Sequence, residues 1–133
     1  ATRFPKAVLC LVSALAWHDM TTQIPRRIDL AVARNARLPK LDYPPVRGHR
    51  FSGERFTSGV EIHSLDGATL HVYNPEKTLA DCFAFRNTLG MDVVLEAIRL
   101  YPKRHRRDYN HVLEYARICR VAKSIRPYLE ASL

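Results

Sequence analysis

The chain has 133 residues, 47% hydrophobic and 26% charged, enough apolar material for one core without disulfide or metal staples and too much for wholesale disorder. Its 21 basic and 13 acidic side chains leave a net charge of +8, a surplus that favours nucleic acid or another acidic partner. The longest apolar run free of charge, Ala7 to Trp17, is 11 residues, against about 20 for a membrane-spanning helix.

That run follows Arg3 and Lys6, and no small-residue cleavage site comes after it, so it reads as a buried helix and not as a signal peptide. The expected setting is cytoplasmic, with no membrane partner. Cys10, Cys82 and Cys119 are far apart and form no C-x-x-C pair, which argues against a disulfide framework or zinc knuckle. Each lies among apolar neighbours and reads as an inert buried thiol.

In chain order, Pro5 opens the first helix, which runs from Lys6 to Trp17 and ends at His18-Asp19-Met20. Arg27 to Ala33 alternates, with Ile28, Leu30 and Val32 on one face, and predicts a half-buried strand. Residues 34–45 hold Arg34, Arg37 and Lys40 among Pro39, Pro44 and Pro45, a basic loop. Val46 to Phe51 reads as a short strand and Ser52 to Gly59 as a turn.

Val60 to Tyr73 is the clearest hairpin. A two-residue Asp66-Gly67 turn would pair Ile62 with His71. A three-residue Leu65-Asp66-Gly67 loop pairs Ile62 with Leu70 and Val60 with Val72, giving one wholly apolar face, and is the expected register. Asn74 caps a helix begun by Pro75 that runs to about Asn87, with Gly90 as its stop. Val93, Val94, Ala97, Ile98 and Tyr101 mark the next, ended by Pro102. After the basic turn Lys103 to Arg107, Asp108 caps a helix carrying Val112, Leu113, Ala116 and Cys119. Pro127 limits it and opens a short final turn. The class is α+β, in one domain spanning 1–133: an N-terminal buried helix, a small antiparallel sheet with the 60–73 hairpin, and a C-terminal helical cluster.

The chain carries no G-x-G-x-x-G, P-loop, G-x-S-x-G or H-E-x-x-H, so it reads as non-enzymatic and without a cofactor. Lys77 and Asp81, at i and i+4, read as a helix-face pair worth a few tenths of a kcal/mol. In the expected register Glu61 lies opposite His71 with His63 diagonal, a face suited to zinc but lacking a fourth ligand. No metal is assigned. His18, His49, His105 and His111 have no patterned partner.

The basic residues are uneven. Arg99, Lys103, Arg104, Arg106, Arg107, Arg117, Arg120, Lys123 and Arg126 are offset only by Asp108 and Glu114, so this segment carries seven of the net +8 charges. Arg117, Arg120, Lys123 and Arg126 recur every third residue, and Tyr101, Tyr109 and Tyr115 are interleaved. These nine bases are the candidate contacts to a nucleic acid or other charged partner, each phosphate contact adding salt-dependent affinity. A solvated helical surface is the competing explanation. Residues 109–131 fit a helix-turn-helix only loosely and Pro127 falls badly, so base-specific reading by this segment is not expected.

Phe4 to His18, followed by Met20-Thr-Thr-Gln-Ile-Pro25, resembles the middle of AbiEi-type antitoxins. So do Arg50-Phe-Ser-Gly53, Gly59-Val-Glu61, Val72 to Phe83 and Phe85-Arg-Asn87. The likeness continues through Gly90 to Ala97, Tyr115 to Ala122 and Arg126 to Ala131, covering essentially the whole chain in order. The resemblance implies the antitoxin domain of a bacterial type IV toxin–antitoxin, or abortive infection, system. In that family an N-terminal winged helix-turn-helix binds the operon's own promoter and a C-terminal domain opposes a nucleotidyltransferase toxin without a stable complex. This chain is similar to the C-terminal part, so operator DNA would be read mainly by a winged helix expected upstream. The toxin's own Gly-Ser and D-x-D signature is not present in the sequence.

Overall fold

The computed structural model describes residues 6–39 and 42–133. The Pro5 opening of the first helix and Lys40 of the basic loop lie outside the described residues. The chain runs β1 (Val8–Leu9), α1 (Leu11–Trp17), β2 (Ile28–Ala33), β3 (Val46–Phe51), α2 (Glu54–Thr57), β4 (Val60–Leu65), β5 (Ala68–Tyr73), α3 (Pro75–Ala84), α4 (Arg86–Leu89), α5 (Met91–Arg104), α6 (Tyr109–Ile118) and α7 (Ala122–Ala131). The class is α+β, with the N-terminal helix and C-terminal helical cluster in the expected places.

The strands form a five-stranded sheet in the order β3-β2-β1-β5-β4. It is mixed, where the sequence suggested an antiparallel one: β2 pairs with β3, and β1 with β5, in parallel. The reason lies in β1. Val8 and Leu9, expected as helix, instead fill the middle of the sheet between β2 and β5. A short run that is apolar all round serves a central strand as well as a buried helix, and periodicity does not separate the two. The chain then switches to α1 through Leu11, whose φ of 48° is left-handed and whose side chain is buried.

The hairpin takes the two-residue turn. Ile62 faces His71 and Val60 faces Tyr73, against the expected pairing. Asp66 and Gly67 have φ of 50° and 79°, so both central residues are left-handed, the primed geometry that matches strand twist. The preference for an apolar face fails here because the hairpin tip is not covered. Ile62 is 69% and Leu65 52% exposed, so burial does not dictate register at that end.

Val8, Ala31, Phe51 and Tyr73 turn one sheet face into the core. The helix α3 lies at the centre of the helical layer and packs against α1, α4, α5 and α6. Asn74 caps it as expected, its side chain accepting from the Lys77 amide at 2.7 Å. The segment expected as one helix to Asn87 breaks at Phe85 into α3 and α4, and Gly90 (φ 96°) stops the second. The stretch 52–59, expected as a turn, contains the single-turn helix α2.

Prolines mislead twice. The α5 helix continues past Pro102 to Arg104, its end held by the His105 amide on the Tyr101 carbonyl at 2.9 Å. The expected single helix after Asp108 is two helices of 10 residues each, α6 and α7. They break at Arg120, whose φ of 63° reverses the chain. Pro127 lies inside α7 on its exposed side, where water can serve the carbonyl deprived of its helical donor.

Lys77 and Asp81 overturn the helix-face reading. Both side chains are 0% exposed and their charged atoms lie 2.7 Å apart in the core. Above them passes Gly59, with φ of 78° and a position where an added Cβ would lie 2.8 Å from the Lys77 Cβ. Gly67 has nearly the same φ but open space around it. Gly67→Ala should therefore cost only the left-handed backbone term, about 1–2 kcal/mol. Gly59→Ala should cost about 1–3 kcal/mol more, from overpacking. Urea denaturation of the two variants checks the difference; equal losses would show that Gly59 does not hold this close approach.

Candidate nucleic-acid interface

All nine candidate bases are solvent-exposed. Arg99, Lys103 and Arg104 lie on the last turns of α5, and Arg106 and Arg107 on the turn that follows. Arg117 ends α6, Arg120 is the left-handed joint, and Lys123 and Arg126 lie on α7. The every-third spacing therefore does not wind around one helix. It distributes four charges over two helices and the bend between them.

Local pairing leaves most of this charge free. Among the described residues, Arg104 is the one candidate base with a carboxylate within 4.0 Å: its Nε donates to Asp19 Oδ2 at 2.9 Å. Asp108 and Glu114, the only acids of the segment, face His111 at 3.7 and 3.9 Å. Arg107 sits over the Tyr109 ring, 5.5 Å from its centroid. Glu96, one turn before Arg99, accepts from the Thr22 amide at 2.9 Å and its hydroxyl at 2.7 Å. Those hydrogen bonds hold its carboxyl below the usual range, with Arg99 adding to the effect.

The interleaved tyrosines are framework. Tyr101 is fully buried. Its hydroxyl donates to Glu76 Oε2 at 2.6 Å and accepts from the Asp108 amide at 2.7 Å. Burial, and then the Glu76 carboxylate, raise its pKa. The hydroxyl thus joins α3, α5 and the start of α6, and fixes the turn that carries Arg106 and Arg107. The Asp108 side chain caps α6 by accepting from the His111 amide at 3.1 Å, as expected. Tyr115 is half-buried and accepts from Asn74 Nδ2 at 3.0 Å. The other end of the basic turn is tied by His105, whose Nε2 donates to the His18 carbonyl at 2.7 Å.

The zinc face considered from sequence does not assemble. With the observed register Glu61 opposes Val72, and His71 opposes Ile62 on the other side of the hairpin. Glu61 instead accepts from His63 Nε2 at 2.9 Å, beside Trp17. Among the described residues no group of three or more His, Cys, Asp or Glu is placed to hold a metal ion. His18 is buried, donates to the Tyr73 carbonyl at 2.7 Å, and is held below its ordinary pKa by desolvation.

The cysteines are free and buried, as their apolar neighbours suggested. Burial raises Cys10 and Cys82 well above the usual thiol range and pushes Cys119 up to about 12, which favours the neutral thiol over the thiolate. His49, unassigned from sequence, has a partner: its Nε2 donates to Asp29 Oδ1 at 3.0 Å. Parallel pairing of β2 with β3 creates that contact, and 20 residues of separation hide it from any local motif.

No protein-family model and no curated protein matches the chain. Among the described residues no helix is long and apolar enough to cross a membrane.

Tyr101→Phe removes the hydroxyl and leaves the Asp108 amide and Glu76 without it. The expected loss is about 1–3 kcal/mol, with faster hydrogen exchange at the Asp108 amide. Unchanged exchange there would show that the basic turn is held by other contacts.

Proposed function

We propose that this chain is a non-enzymatic antitoxin domain of a type IV toxin–antitoxin system, opposing a nucleotidyltransferase toxin and supporting autorepression of its operon together with a DNA-binding domain. The ordered likeness to AbiEi-type antitoxins supports the assignment. The observation that carries its mechanism is the charged surface: nine exposed bases between Arg99 and Arg126, of which, among the described residues, Arg104 alone is held by a carboxylate within 4.0 Å. Unpaired guanidinium and ammonium groups bind phosphates, releasing counterions. A surface of this kind opposes the toxin by occupying its nucleic-acid substrate, with no tight toxin complex required. The same groups lengthen an operator footprint beside a winged helix.

The test is co-expression with the nucleotidyltransferase of the same operon, read as growth. The chain should restore growth, and Arg106→Glu/Arg107→Glu should weaken the rescue while leaving the thermal midpoint close to the parent's. Absence of rescue by the parent chain would overturn the antitoxin assignment.

A second reading, a free-standing basic nucleic-acid-binding module, is favoured by the α6–α7 pair. Two short helices joined by residues 119–121, with Arg120 left-handed, match the scale of a helix-turn-helix more closely than the sequence suggested. Lys123 and Arg126 lie on the exposed side of the second helix. Duplex-DNA affinity measured across a salt series separates the readings. Steep salt dependence that falls by about 0.9 in log–log slope for each lost phosphate contact, without growth rescue, assigns the module reading.

A further inference from the structure

A cleft of about 610 Å³ opens at the β2–β3 end of the sheet, away from the segment discussed above in sequence and built by other elements. Its size lies in the range of small-molecule sites, about 300–1,000 Å³. Arg26 and Arg27 reach it from the start of β2, Arg47 and His49 from β3. Asp29 pairs with Arg47 across the parallel strands, and His49 follows two residues on, so all three share the core-side face. Val12, Pro25 and Leu89 supply an apolar wall.

The charges in this cleft are unbalanced. Among the described residues Asp29 is the only carboxylate lining it, and it is spent on His49 Nε2 at 3.0 Å. The Asp29 amide donates to Ser13 Oγ of α1 at 2.9 Å, which fixes the strand carrying the acid. Among the described residues Arg26, Arg27 and Arg47 have no carboxylate within 4.0 Å. Three guanidinium groups around one concavity repel one another unless an anion joins them. The guanidinium fork matches phosphate oxygens two at a time, which an ammonium does not. His49, hydrogen-bonded to Asp29, lines the same cleft.

We infer that this cleft binds the phosphate of a nucleotide, free or at the end of a single strand, with its phosphate oxygens on Arg26, Arg27 and Arg47 and its base against the Val12–Pro25–Leu89 wall. The inference does not depend on the antitoxin reading.

Isothermal titration of the 133-residue chain at low salt tests it, with ATP, a 5′-phosphorylated tetranucleotide and inorganic tripolyphosphate as probes. Saturable binding of ATP or the tetranucleotide is expected, and the tighter of the two identifies the source of the nucleotide. Binding should weaken tenfold or more in Arg26→Ala/Arg27→Ala, both exposed positions, and also in Arg47→Lys, which keeps the charge but loses the fork. Arg34→Ala/Arg37→Ala, exposed positions outside both the cleft and the basic surface, should bind as the parent does. Circular dichroism of each variant confirms that it is folded. No saturable binding of either nucleotide probe would overturn the inference. So would equal weakening in the Arg34/Arg37 variant, which signals diffuse charge attraction, or tripolyphosphate binding as tightly as ATP, which removes the base from the site.

Discussion

An ammonium and a carboxylate, both fully buried and 2.7 Å apart, lie at the centre of this fold. Taking two charges out of water costs several kcal/mol per ion, and the loss is offset only when every remaining donor and acceptor finds a partner. Here they do. Lys77 Nζ also donates to the Arg55 carbonyl of α2 at 2.8 Å and lies 3.8 Å from the Tyr73 ring centroid. Asp81 Oδ1 accepts from the Cys119 thiol, 3.3 Å away at the end of α6. Tyr73 in turn donates its hydroxyl to the Phe56 carbonyl at 2.6 Å. One pair of charges on α3 thus ties together the last strand of the hairpin, the single-turn α2 and the α6–α7 bend. Burial pushes the Asp81 carboxyl above the usual range against the pull of Lys77, so the site tolerates little loss of either partner.

That arrangement positions the surfaces for which a function is proposed. The α6–α7 bend that presents Arg117, Arg120 and Lys123 begins at Cys119, whose thiol is anchored on Asp81. The turn bearing Arg106 and Arg107 is held to α3 through Tyr101 and Glu76. Hydrogen bonds hold these bends, and among the described residues Arg106, Arg107, Arg117, Arg120 and Lys123 have no carboxylate within 4.0 Å, the arrangement a phosphate-tracking surface would use. The cleft at β2–β3 is mounted differently, on parallel strands pinned by Ser13 of α1.

What was legible in the sequence is what local chemistry determines. The caps at Asn74 and Asp108, the glycine stop at Gly90, and the buried stripe Val93, Val94, Ala97, Ile98 and Tyr101 follow from spacing within one turn or two. The exposure of the nine bases follows from the cost of desolvating unpaired charge. The rest depends on partners far away in the chain. Val8 and Leu9 become strand because β2 and β5 flank them, and helical periodicity carries no sign of that. The hairpin register answers to turn geometry once its tip is left uncovered. Lys77 and Asp81 have a spacing common on helix surfaces, and tertiary packing buries them, with α6 against α3 and the Phe51 and Tyr73 rings over Lys77. The three-arginine cleft gathers residues from before β2 and from β3, so no contiguous motif announces it.

The claim that the buried pair organises the molecule is tested most directly by a double-mutant cycle on Lys77→Met and Asp81→Leu, measured by urea denaturation. Either single substitution leaves one uncompensated charge in the core and should cost about 3–5 kcal/mol. The double variant, with no stranded charge, should cost far less than the sum of the two. Additive losses would contradict the account, since they would mean that the two side chains contribute through packing alone and not as a pair.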